Sequence, residues 1–180
     1  MSFFSPEAVS VSPVAPPVKQ TPKRNRTPAV QAALGKSKDA ILSGAIRDML
    51  GLTKEDLKLG LEVAANRLQR GAHRDALRIY AALVLCEPTN VAFQIGLANC
   101  ALLLHENCLA LQAASFVITS EPKNARGYLL SGRACLGLGC WKEAEEDLRR
   151  ASELAKQNRD ANLYASAEAL MQKLRVILAR

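Results

Sequence analysis

The chain has 180 residues, of which 49% are apolar and only 4% aromatic, with a formal charge of +7. That suffices for one domain and a tail, and an aromatic-poor, Leu- and Ala-rich balance is that of packed helices. No unbroken apolar run reaches helix length and no charged region precedes an apolar core at the N-terminus, so neither a membrane span nor a secretory signal is expected.

Residues 1–36 hold six of the eight prolines: Pro6, Pro13, Pro16, Pro17, Pro22 and Pro28. Prolines at this density remove amide donors and favour extended backbone, so a disordered or extended tail is expected. Lys19, Lys23, Arg24, Arg26, Lys36 and Lys38 against Glu7 give residues 1–38 a net charge of +5. The other 142 residues carry +2, so the basic character belongs to the tail and not to a structured face. Lys23-Arg24-Asn25-Arg26 is too short, and aromatics too few, to argue for nucleic-acid binding. Residues 37–52 then read as an amphipathic helix. Ile41, Leu42, Ala45, Ile46, Met49 and Leu50 recur at three- and four-residue steps on one face. So apolar a face must either pack on the neighbouring helices as a cap or meet a second copy of the chain, making a homodimer. Gly51 ends this helix, and Thr53 with Asp56 three places on marks the start of the next.

From there the chain repeats. Glu87-Pro88-Thr89-Asn90 returns 34 residues later as Glu121-Pro122-Lys123-Asn124. Laid out as windows 57–90, 91–124 and 125–158, the eighth place is Ala64, Ala98 and Gly132, and the twentieth Ala76, Ala110 and Ala144. Small residues at both places let two helices of one unit cross closely. Leu83, Val117 and Ala151 at place 27 would meet the next unit. Gly71 and Gly139 mark the turns, with His105 at that place in the second window and Lys156 in place of proline in the third. A 34-residue helix–turn–helix period resembles the tetratricopeptide repeat. An all-α solenoid of three such units over 53–158 is expected. A final helix, within 159–180, carries the stripe Leu163, Ala167, Leu170, Leu174 and Ile177 or Leu178. It would cap the stack, with Glu168, Lys173 and Arg175 on its outer face.

In tetratricopeptide stacks the first helix of each unit lines a concave groove. The resemblance implies that places 2, 5, 9 and 12 point into it. These are Lys58, Leu61, Ala65 and Leu68, then Ala92, Ile95, Asn99 and Leu102, then Arg126, Leu129, Arg133 and Leu136. Such an apolar stripe suits an extended peptide, with Asn99 hydrogen-bonding its backbone and Arg126 and Arg133 meeting a carboxylate. The alternative use of those leucines is to seat the C-terminal helix.

No catalytic or metal constellation appears, so no enzyme and no cofactor are expected. His73 and His105 are the only histidines, and neither has ligand spacing to Cys or carboxylates. Neither a P-loop nor a dinucleotide fingerprint is present. The five cysteines, odd in number and without a CxxC pair, read as small buried hydrophobes in a reducing cytoplasm. Trp141 reads as a packing residue and the run Glu143, Glu145, Glu146, Asp147 as a solvated face.

The layout of one lone helix, three repeats and a last helix, from residue 39 to about 175, resembles the class II chaperones of bacterial type III secretion. Leu68-Gln69-Arg70-Gly71-Ala72-His73-Arg74-Asp75-Ala76, Ile95-Gly96-Leu97-Ala98-Asn99-Cys100 and Ala144-Glu145-Glu146-Asp147-Leu148 carry the likeness. It implies a cytoplasmic bacterial protein that holds an extended, proline-containing segment of a hydrophobic translocator. Leu61, Leu68, Ile95, Asn99, Leu102, Leu129 and Arg133 would form the groove, and the N-terminal helix would contribute to dimers. The proline-rich tail is longer, and groove aromatics fewer, than that family usually carries. A clamp for heat-shock C-termini would want Lys and Asn where Leu61 and Ala65 stand. A generic scaffold or assembly factor and a regulator are the alternative functions.

Overall fold

A computed structural model describes residues 45–179; the proline-rich segment 1–36, and Ile41 and Leu42 of the expected N-terminal helix, lie outside the described residues. Eight helices follow in order among the described residues, with no strand: α1 Ala45–Met49, α2 Lys54–Gln69, α3 His73–Cys86, α4 Val91–Leu103, α5 Asn107–Ser120, α6 Ala125–Leu138, α7 Trp141–Gln157 and α8 Ala161–Leu178. From α2 onward each helix packs on the next, α1 packs on α3, and the first helices of successive units, α2, α4, α6 and α8, also adjoin one another. The result is a tetratricopeptide-type solenoid of three hairpins closed by α8. None of these helices is long and apolar enough to cross a membrane.

The 34-residue step is written into the backbone. Gly71, His105 and Gly139, spaced at that interval, take φ of +79°, +60° and +75°. Glycine does this freely, and histidine is among the few other residues that tolerate it. The second unit thus keeps the turn without its glycine. The recurring Glu-Pro-x-Asn has an equally local cause. Asn90 Oδ1 accepts from the amides of Ala92 and Phe93 at 3.1 and 3.4 Å, and Asn124 Oδ1 from Arg126 at 3.0 Å, capping α4 and α6. Each asparagine amide donates back to the glutamate, at 3.1 Å to Glu87 and 2.7 Å to Glu121. Thr53 and Asp56 form the reciprocal cap at the start of α2, as their spacing predicts. Where Lys156 replaces the proline, α7 runs on to Gln157, three repeat places beyond the ends of α3 and α5.

Ala64, Ala76, Ala98, Ala110 and Ala144 are all fully buried, and Leu83, Val117 and Ala151 are buried with them. A Cβ on Gly132 would lie 2.8 Å from Leu148 Cγ, so α6 and α7 cross with no room for one. One core runs from Leu57 to Ala134 across α2–α6, and smaller clusters join α6 and α7 to α8 through Leu163 and Leu174.

At the N-terminal end, Arg47 bridges Asp48 at 2.7 Å and Glu87 at 3.0 Å, fastening α1 to the turn after α3. Ile46 is half-buried and Leu52 packs on the core, whereas Met49 is 85% and Leu50 64% exposed. The apolar face of α1 is therefore divided between the cap use and a side left open to a second copy. At the other end, Glu168 departs from the expected solvated face of α8: its Oε1 accepts from the buried Ser152 hydroxyl at 2.7 Å. Since α8 packs along α7, its turn at Glu168 meets protein instead of water.

Candidate functional site

The concave side carries a trough along α6, walled by α4 on one side and α8 on the other. At its centre Ile95, Asn99, Arg126, Leu129, Leu130, Arg133 and Leu163 enclose a cavity of about 190 Å³. Five of the twelve residues expected at the groove places meet here: Ile95, Asn99, Arg126, Leu129 and Arg133. Towards the C-terminal end of α6, Leu102, Arg133 and Leu136 line a second cavity, of about 400 Å³, with His105, Trp141, Leu170, Lys173 and Ile177. At the N-terminal end of α6 a third, of about 620 Å³, is bounded by Glu121–Arg126, Asn158, Asp160 and Leu163. Arg126 and Leu163 belong to the first and third, and Arg133 to the first and second, so the three cavities adjoin in a row along α6, called the channel below.

Leu61, Ala65 and Leu68 of α2 are half-buried and line none of these cavities; Leu61 and Leu68 pack on the core. Leu102 is only 8% exposed and belongs to that core while touching the channel. Four lining residues come from α8 and were outside the expected set: Leu163, Leu170, Lys173 and Ile177. Their stripe reads as a cap, and α8 does seat Leu163, Ala167 and Leu174 as one. Leu129 packs on the cluster that holds Leu163, and Leu136 on the one that holds Leu174, so two of the expected groove leucines also seat α8, while Leu163, Leu170, Lys173 and Ile177 line the cavities beside them. Trp141, expected to pack, is 37% exposed at the mouth.

The two inner cavities contain Arg126, Arg133 and Lys173 and no carboxylate. At the third, Glu121 is engaged by Asn124, and Asp160 Oδ1 accepts from the Leu163 amide at 3.0 Å. Among the described residues, the ion pairs are made by Arg47, Arg78, Arg149 and Arg150, none of which lines the channel. No group of three or more His, Cys, Asp or Glu is placed to hold a metal among the described residues. Cys86, Cys100 and Cys135 are buried as expected, but Cys108 and Cys140, near the turns, are exposed. Burial pushes the Cys100 thiol up to about 11 and the Cys135 thiol upward as well. Burial also raises Asp147, which is half-buried and so the exception in its acidic run.

No family model matches the chain. It is 32% identical over 99 residues to the cellulose synthase operon protein C of Pseudomonas fluorescens, which takes in 55% of this chain and 8% of that much longer protein. Among solved structures, a T3SS complex from Aeromonas hydrophila aligns with a TM-score of 0.69 at 22% identity, covering 84% of this chain and 98% of that one. PcrH of Pseudomonas aeruginosa, in complex with the chaperone binding region of PopD, aligns at 0.65 with 25% identity over 70% and 96%. The type III secretion translocator chaperone SycD of Yersinia enterocolitica aligns at 0.64 with 22% identity over 71% and 96%. With its 34-residue step, its row of cavities along α6 and its end helix, the chain has a tetratricopeptide-type fold and resembles the translocator chaperones of type III secretion.

Proposed function

We propose that this protein is a non-enzymatic chaperone that holds an extended apolar segment of a secreted translocator protein until export. The observation that carries the reading is the row of cavities along α6, whose lining includes Ile95, Asn99, Leu129, Leu136 and Leu170. Each 100 Å² of apolar client surface covered there contributes roughly 2.5 kcal/mol before ordering costs. A segment destined for a bilayer is sticky in water, and occupying it lowers the population free to aggregate. Asn99, which lines the central cavity, would hydrogen-bond the backbone of a strand-like client, which brings no helical partner for its amides.

Co-expression with a candidate translocator tests this. The wild-type chain is expected to keep the translocator soluble, and Leu129→Asp to lose it while retaining full helicity by circular dichroism. Leu129 is suited to the purpose because it is half-buried, whereas an Asp at the core residue Leu102 would unfold the chain. A translocator that stays soluble with Leu129→Asp, or precipitates with the wild type, removes the groove from the explanation. The match to a stretch of a far longer protein from another system favours, as a second reading, a generic scaffold. A scaffold would leave the translocator insoluble.

A further inference from the structure

Resting on that reading, we infer that the client segment is acidic as well as apolar, with two carboxylates about three residues apart that meet Arg126 and Arg133. The inner channel sets these guanidinium groups, and Lys173, among leucine and isoleucine side chains and offers them no carboxylate. Arg133 is half-buried between Ile95, Leu129 and Leu130, where a client would remove its remaining water. A cation desolvated without a counter-charge is costly, so a client lacking acids would be penalised at this residue. The neighbouring acids do not answer the need. Glu121 and Asp160 are engaged by a turn and a helix end, and neither forms an ion pair with Lys123 or Arg126.

Spacing sets the register. Arg126 and Arg133 lie seven residues apart on α6, or about 10.5 Å along its axis. A polyproline-type strand rises about 9.3 Å in three residues and returns to the same face, so an acid-x-x-acid step matches the pair. The chain's own proline-rich segment is the obvious rival occupant on shape. Its residues 1–38 carry a net charge of +5, which opposes entry into a channel lined by cations.

Fluorescence anisotropy with the full chain decides the matter. The probe is a labelled peptide of prolines and leucines with two glutamates separated by two residues, beside versions carrying glutamine or lysine at those places. The glutamate peptide is expected to bind about tenfold tighter than the glutamine peptide at low salt, with the gap narrowing as salt rises. The lysine peptide should bind weakest. Arg126→Glu with Arg133→Glu should invert the order with the helical spectrum unchanged. The milder Arg133→Gln should reduce the preference to about threefold, half the effect in free energy. Equal binding of the glutamate and glutamine peptides would overturn the acidic client while leaving the apolar groove standing. Failure of every peptide to bind, together with an insoluble translocator on co-expression, would overturn both.

Discussion

Gly96→Ala should strike the joint between the first and second units. Gly96 lies on α4 against the ring of Tyr80 on α3, and a Cβ there would come within 2.0, 2.4 and 2.5 Å of three ring carbons. Carbon atoms settle at about 3.5 Å or more, so the ring or the helix must move by about 1.5 Å. Tyr80 is only 5% exposed, which leaves the ring no path into solvent. Overpacking of this kind costs about 3 kcal/mol, and replacing a mid-helix glycine by alanine returns about 1 kcal/mol. The net loss of about 2 kcal/mol corresponds to a fall in Tm of about 4–8 °C. Urea unfolding followed by helical circular dichroism measures it. Gly60→Ala is the control, because its nearest neighbour is the Leu83 methyl at 3.1 Å, which can rotate away. Truncating the ring in Tyr80→Leu should make the double variant lose less than the sum of its parts. Since Ile95 and Asn99 flank the joint on α4, Gly96→Ala should also weaken client binding. Equal stability of Gly96→Ala and Gly60→Ala would refute the packing argument.

Three further outcomes are expected. His105→Gly relieves a side chain held at φ +60° and should stabilise the fold by about 1 kcal/mol in thermal unfolding; because His105 also lines the channel, client affinity should fall in the same variant. In thiol labelling, the exposed Cys108 and Cys140 should react within minutes at neutral pH, and Cys86, Cys100 and Cys135 only on unfolding. The Cys100 thiol, raised from 9.0 to about 11, keeps its proton in the fold at pH values where the unfolded chain releases it. Stability should therefore be full below the ordinary thiol range and drop by on the order of 2 kcal/mol as pH rises through about 11; Cys100→Ala should lessen that drop and leave the smaller part that belongs to the raised Cys135 thiol.

Local chemistry made much of the fold legible. The Glu-Pro-x-Asn step, the Thr53–Asp56 pair and the small residues at places 8 and 20 each act over a few residues or one helix crossing, so each can be read from spacing alone. The first half of the channel was legible for the same reason: Ile95, Asn99, Arg126, Leu129 and Arg133 follow from the position of each residue in its repeat. The far wall was not. Leu170 and Ile177 lie on an apolar stripe that looks the same whether it faces a core or a cleft, and Trp141 at a turn carries no sign of which side of the stack it will stand on.

The order of residues determined the period, the caps, the turns and which helix faces are apolar, because these depend on backbone geometry and near neighbours in the chain. The stacking of units decided the rest. It brought α8 alongside α6, placed Arg133 and Lys173 in cavities lined by no carboxylate, and put Leu102 in the core. Those are consequences of where segments far apart in the chain come to lie, and burial at such sites is a property of the assembled surface, not of any stretch of sequence.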